Sequence, residues 1–187
     1  FIAEEAIVDD FANKLKVAVE ALIVGNPESK DTVVGPLSSK QQLEDVERQV
    51  NESVETGAKL LCGGKRRGNK GYFYEPAVLS GVVKGMPVYD EEVFGPALPV
   101  ISFKTIEEAV EIANDSDYGL GATIFSKNTN RAQELARRID SGAVFINSPV
   151  KSDPRLPFGG VKKSGYGREL SHYGIREFVN AKTVWVK

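Results

Sequence analysis

The sequence predicts an α/β fold, three layers built around a mostly parallel sheet. Two patterns and the composition argue for it. Between Thr105 and Asn147 helix-like and strand-like stretches alternate with short loops, and such connections make right-handed crossovers between parallel strands. The strand-like stretches are rich in β-branched residues and lack polar alternation, as expected where both faces of a sheet are covered. The 187 residues are 41% hydrophobic and 27% charged, ordinary values for a globular chain. At that length folding can remove roughly 70% of the unfolded chain's surface from water, so a core needs no staples.

The elements follow in order. VDDFANKLKVAVEALIVG, from Val8, reads as an amphipathic helix with Phe11, Leu15, Ala18 and Leu22 inward. Asp9 and Asp10 suit its positive end, and Gly25 and Pro27 stop it. The next helix runs through SSKQQLEDVERQVNESVETG. Ser39 and Gln42 form its capping box, Leu43, Val46, Val50 and Val54 its stripe, and Gly57 its end. AKLLCGG reads as a short buried strand, YFYEPAVL as a second and ALPVISF as a third. TIEEAVEIAND is a helix with a Thr105/Glu108 capping box, GATIFS a strand, NTNRAQELARRID a helix with Ala132, Leu135 and Ile139 inward, and GAVFIN a strand. From Ser148 to Gly167 glycine and proline dominate and no period survives. A structureless run of this length in a compact domain is usually functional, and Leu156 and Phe158 read as its apolar anchors. AKTVWVK reads as a last strand that needs a partner, since an unpaired one would be a sticky edge.

Charge and cysteine content exclude several classes. A net charge of −2 gives no global attraction to nucleic acid or anionic membrane. No apolar run approaches the roughly 20 residues of a membrane span, and no signal peptide is visible. The single cysteine, Cys62, cannot form an intramolecular disulfide, which fits a reducing cytoplasm. With the single histidine, His172, it cannot make a common zinc site. Cys62 sits in an apolar strand and reads as an inert thiol rather than a nucleophile, and His172 reads as structural or surface. The basic run GKRRGNKG lacks interleaved aromatic residues and reads as a solvated turn. Phosphate-loop and dinucleotide fingerprints both fail: Tyr166 follows Gly165 in GGVKKSGYG, and Ile124 stands where Gly119-Leu120-Gly121 would need a third glycine.

DEEVFGP, from Asp90 to Pro96, carries the sharper signal. A carboxylate accepts two hydrogen bonds from a vicinal diol, as acids do with a dinucleotide ribose. An aromatic residue two positions on, along an extended segment, packs on a flat ring. Glu92 and Phe94 have that spacing. Glu91 points the other way and, like Asp90, is expected to be solvated.

EEVFGP, NDSDYGLGATIFS, RRIDSGAVFIN, PFGGVKKSGYGREL and AKTVWVK, in this order and spacing, strongly resemble the aldehyde dehydrogenase superfamily. The resemblance runs from Phe1 to Lys187 and corresponds to the family's C-terminal catalytic region, less than half of a full chain. It implies oxidation of an aldehyde to an acid with NAD or NADP: a cysteine thiolate attacks the carbonyl, hydride passes to nicotinamide, and a glutamate-activated water releases the thioester. It implies that Glu92 binds the nicotinamide ribose, that Phe94 lies near the ring, and that Gln42 contacts the cofactor, its capping role being an equal account. Phe158 would line the aldehyde tunnel, and Glu169 would relay a proton or only hold structure. The loop SPVKSDPRLPFGG most resembles succinate-semialdehyde dehydrogenases, so Lys151, Ser152 and Arg155 would meet a carboxylate at the far end of the substrate.

The sequence also departs from the family pattern. The nucleophilic cysteine, the general-base glutamate and the coenzyme-binding domain are not among these residues, and Cys62 does not match the nucleophile's place. The start at Phe1 reads as the middle of a longer chain, and the isolated piece is expected to be inactive. The expected organisation is a partial catalytic domain over 1–172 and a tail with an oligomerisation strand over 173–187, reaching a neighbouring subunit or the missing half. Two other readings remain open here, a non-catalytic assembly fragment and a relative that acylates coenzyme A.

Overall fold

The computed structural model describes residues 1–187 and divides them into two compact units, Phe1–Ile106 and Glu107–Lys187. The units part at the start of a helix.

The first unit contains β1 (Ile2–Glu4), α1 (Val8–Glu20), α2 (Lys40–Glu55), β2 (Lys59–Cys62), β3 (Ala77–Ser80), α3 (Pro87–Asp90), β4 (Ala97–Pro99) and β5 (Ile101–Phe103). β3 is central, antiparallel to β2 and parallel to β4. The run ALPVISF breaks at Val100, whose N–H donates to Leu79 O at 2.8 Å, and continues as β5 parallel to β1. Successive side chains of β3 face opposite ways. Ala77 and Leu79 pack with Leu43, Val46 and Val50 of α2, while Val78 packs with Ala12 and Val19 of α1. This alternation puts one helix on each face, and the unit is three-layered. Val46 and Val50 are fully buried, each removing roughly 1.5–3 kcal/mol worth of apolar surface from water.

Sequence and structure differ in informative ways here. In α1 Ala12 is buried and Ala18 exposed; the inward stripe is Val8, Ala12, Leu15 and Val19. The stripe of α2 ends on Ser53, not on the half-exposed Val54. β2 lies at a sheet edge, so its Lys59 and Leu60 are exposed and the expected buried strand is not found. Tyr72–Pro76 forms an arm joined to the basic turn through Arg67 N to Phe73 O and Glu75 N to Lys65 O, both 2.9 Å. α3 has four residues, too few to display a period.

The second unit contains α4 (Ile106–Asn114), β6 (Tyr118–Gly119), β7 (Ala122–Ile124), α5 (Thr129–Ala136), β8 (Val144–Ile146), β9 (Val161–Lys162) and α6 (Ser171–Arg176). β7 and β8 are parallel, with Ala122 opposite Val144 and Ile124 opposite Ile146, joined through α5 as the alternation predicts. The Asn128 side chain caps α5 by accepting from Arg131 N at 3.0 Å, and Ala132 is fully buried. β6 and β9 are antiparallel. Three of the five pairings in the molecule are parallel. Residues 180–187 form no regular element, and Trp185 is 87% exposed. The expected C-terminal strand is not formed within the chain, since a strand exists only against a partner and no other segment of the chain pairs with this one.

Candidate active-site surfaces

The candidate residues fall into both units, and each set has its own construction. In the first unit the loop Glu91–Pro96 lies along one face of α2. Ser53 starts the contact. Its buried hydroxyl donates to Gln49 O at 2.7 Å and accepts from Val88 N at 3.1 Å, docking α3 on the helix. Glu91 follows. Arg48 grips both its carboxylate oxygens, at 2.6 and 3.3 Å, and the Gln49 amide donates to it at 2.9 Å. The same amide donates to Glu92 O at 3.2 Å. The loop ends against Val46, where a Cβ on Gly95 would lie 2.4 Å from Val46 Cγ2. Positions 42, 46, 49 and 53 share one helical face, so Gln42 stands next along it.

Glu92 and Phe94 face outward from this fastened loop. The Glu92 carboxylate is exposed and makes no hydrogen bond or ion pair, and Phe94 is 64% exposed. Gln42 gives half of the expected capping box: its N–H donates to Ser39 Oγ at 3.1 Å, while its own amide makes no hydrogen bond. Glu91 corrects the sequence reading. It is held by two partners while staying partly exposed, and Arg48 first, then Gln49, keep its carboxyl below the usual carboxylate range. Asp90 accepts from Gly85 N at 3.3 Å. The partners of Glu91 lie more than forty positions upstream, and no local pattern could have pointed to them.

In the second unit Phe158 and Glu169 are brought together by a two-way backbone bridge, Phe158 N to Glu169 O at 2.9 Å and the reverse at 2.7 Å. Arg168 secures the turn by donating to Gly160 O and Gly167 O. Phe158 is half-buried, whereas the Glu169 side chain is exposed and unpaired. Leu170, which follows, has φ 62° and ψ 174°, a region normally left to glycine. Gly142 meets this segment directly: a Cβ there would lie 1.6 Å from Gly159 O. Gly119 is similarly closed in by Asp140 O and Val161. Gly119, Gly142, Gly159 and Gly160 thus serve close approach of chain segments, whereas Gly165 and Gly167 have open space around them.

Lys151, Ser152 and Arg155 are all exposed. Arg155 is occupied by Asp153 through two side-chain bonds of 2.9 and 2.7 Å, so a substrate carboxylate would have to compete for it. Lys151 and Ser152 carry no such partner. Leu156 is 55% exposed and anchors nothing. Cys62 is half-buried against the α1 cluster, and burial pushes its thiol up, the wrong direction for a nucleophile. His172 is exposed and lies beside Tyr173, ring centroids 4.2 Å apart. No helix is long and apolar enough to cross a membrane.

Residues 1–184 match the model of the aldehyde dehydrogenase family. The chain is 47% identical over 186 residues to a Mycobacterium tuberculosis protein named succinate-semialdehyde dehydrogenase (NADP(+)) 1, covering 100% of this chain and 41% of that relative. A crystal structure of succinic semialdehyde dehydrogenase from Streptococcus pyogenes, in complex with NADP+, is similar with a TM-score of 0.94 and 41% identity, over 100% of this chain and 41% of that one. Betaine aldehyde dehydrogenase from Staphylococcus aureus, in complex with NAD+, is similar with a TM-score of 0.89 and 36% identity, over 95% and 36%. The chain thus spans about two fifths of the length of the relatives it matches.

Proposed function

The chain belongs to the aldehyde dehydrogenase family, and we propose that it is the part of an NAD(P)-dependent aldehyde dehydrogenase that meets the nicotinamide ribose and the aldehyde. The observation that carries this is the outward presentation of Glu92 and Phe94 on a loop whose other groups are tied down. An unpaired carboxylate suits a ribose diol, and an exposed ring beside it suits a flat heterocycle. The donor set therefore fits NAD or NADP, which when bound supplies the acceptor for the two-electron oxidation.

The chain's own residues bind and orient. Glu92 holds the ribose hydroxyls, Phe94 limits where the ring can lie, and the free amide of Gln42 on the same helix face adds a further polar contact. Phe158 lines the approach of the aldehyde. Glu169, fixed at its backbone by the bridge to Phe158, can pass a proton at its exposed carboxylate. Succinate semialdehyde is the proposed substrate, since the relative and one structural neighbour carry that name. Lys151 and Ser152 would meet its far carboxylate more readily than Arg155.

The order of the motifs supports placing the chain in the C-terminal part of such an enzyme, with the nucleophilic cysteine upstream. The sequence immediately before Phe1 tests this. A cysteine within about ten residues agrees with the family pattern, whereas a coenzyme-binding domain following Lys187 would overturn the placement. The functional reading is tested by Glu92→Gln in the full-length enzyme. Loss of a charge-assisted hydrogen bond, about 1.5–3 kcal/mol, lowers kcat/KM for the cofactor roughly tenfold to a hundredfold. An unchanged value would mean that Glu92 is merely solvated.

A further inference from the structure

We propose that Glu91 is a positioning residue for the cofactor contact: with Arg48 and Gln49 it latches the loop carrying Glu92 and Phe94 onto α2. The inference rests on the reading of Glu92 given above.

Three observations carry it. Both oxygens of Glu91 are used, by the Arg48 fork at 2.6 and 3.3 Å and by the Gln49 amide at 2.9 Å. Gln49 is only 4% exposed, and its single amide nitrogen also holds Glu92 O at 3.2 Å. One buried side chain thus fixes the side chain of residue 91 and the carbonyl of residue 92 together. Arg48 is itself steadied along the helix by Glu52 at 2.9 Å. The backbone at Glu91 is extended, φ −103° and ψ 156°, and neighbouring side chains of an extended segment point to opposite sides. Clamping Glu91 to the helix therefore turns Glu92 away from it. Gly95 closes the far end of the same segment against Val46.

The latch is too exposed to matter greatly for stability. Its ion pair has side chains 43% and 42% accessible, and such pairs contribute little to folding. Its effect should appear in where the cofactor-facing groups sit, and Glu91 touches no reacting atom.

The experiment is steady-state kinetics on the full-length enzyme carrying Glu91→Ala, Arg48→Ala or both, with NADP+ and succinate semialdehyde varied in turn. Arg66→Ala is the reference, because it removes the other bidentate ion pair made by α2, with Glu47 at 2.6 Å, away from the loop. Each single variant is expected to raise KM for NADP+ roughly threefold to tenfold, with KM for the aldehyde within about twofold. The double variant should be no worse than the poorer single one, since both break one contact. Glu91→Gln, which still accepts from Arg48 and Gln49, should restore most of the affinity, and Arg66→Ala should leave it unchanged. An unaltered KM for NADP+ in both single variants, or an equal rise in both KM values, overturns the proposal. If Glu91→Ala fails to fold, Arg48→Ala decides alone. Glu92→Gln is measured in the same series: if it is impaired while the latch variants are not, only the latch is wrong, and if it is silent the cofactor reading falls with it.

Discussion

The loop around Glu92 is fastened by side chains of a helix, with Gln49 reaching Glu91 across 42 positions, whereas the run around Phe158 is fastened by backbone. In the first, Arg48, Gln49 and Val46 each meet a particular side chain, carbonyl or gap. In the second, two strands of backbone bridge at Phe158 and Glu169, and Gly142 lets the chain pass within touching distance of Gly159. Arg168 there reads carbonyls and no side chain. The two constructions fail differently. A side-chain latch can be loosened by degrees, because each contact contributes a little and flexible groups can give. Backbone crossing backbone has no soft partner, so an added methyl is either excluded or forces the chain apart.

Substitutions at the glycines test the contrast most strongly. Gly142→Ala would place a methyl 1.6 Å from a carbonyl oxygen. The expected loss is at least about 3 kcal/mol of stability, read as a fall in Tm or as failure to accumulate. A variant that folds with near-normal Tm would mean that Gly142 is not a backbone crossing point. Gly95→Ala meets the Val46 side chain, Cγ2 at 2.4 Å and Cγ1 at 3.2 Å, and a side chain yields more readily than backbone. A smaller loss, about 1–3 kcal/mol, is expected in denaturation, together with a raised KM for the cofactor. A stability loss larger than that of Gly142→Ala would reverse the comparison.

The smallest effect is electrostatic. Glu91 is held below its ordinary value, chiefly by Arg48. Its contribution is complete above the unfolded-state value and is lost as the pH falls through the lower folded-state value. Urea titrations of the wild type and Glu91→Gln should therefore differ by at most about 1 kcal/mol near neutral pH. The difference should shrink in acid, below the usual carboxylate range. A gap that widens on acidification would mean that Glu91 is not ionised in the latch.

What could be read in advance follows from range. Ser39 capping α2, Asn128 capping α5 and the β7–α5–β8 crossover are local, and their chemistry lies within a few residues. The spacing of Glu92 and Phe94 is local too, and both emerge exposed on one loop. The anchoring of Glu91 was illegible because α2 is distant in sequence and α3 too short for a period to show. AKTVWVK has the composition of a strand, but pairing is a relation between two segments, and no segment of this chain pairs with it. Arg155 looked available until Asp153, two positions back, occupied it. An acid two positions from an arginine in a loop is the local signal of that pairing.

The contacts that hold the cofactor-facing loop fall on positions 46, 48, 49 and 53 of a single helix, and this makes α2 a ruler. Each residue added or removed inside it turns everything beyond by about 100°. One insertion between Val46 and Gln49 would leave each half of the loop facing a different side of the helix. The turn around Gly68, where an added methyl would meet nothing within 4 Å, could lengthen with no such penalty. Relatives should therefore vary freely in length at that turn and hardly at all within α2.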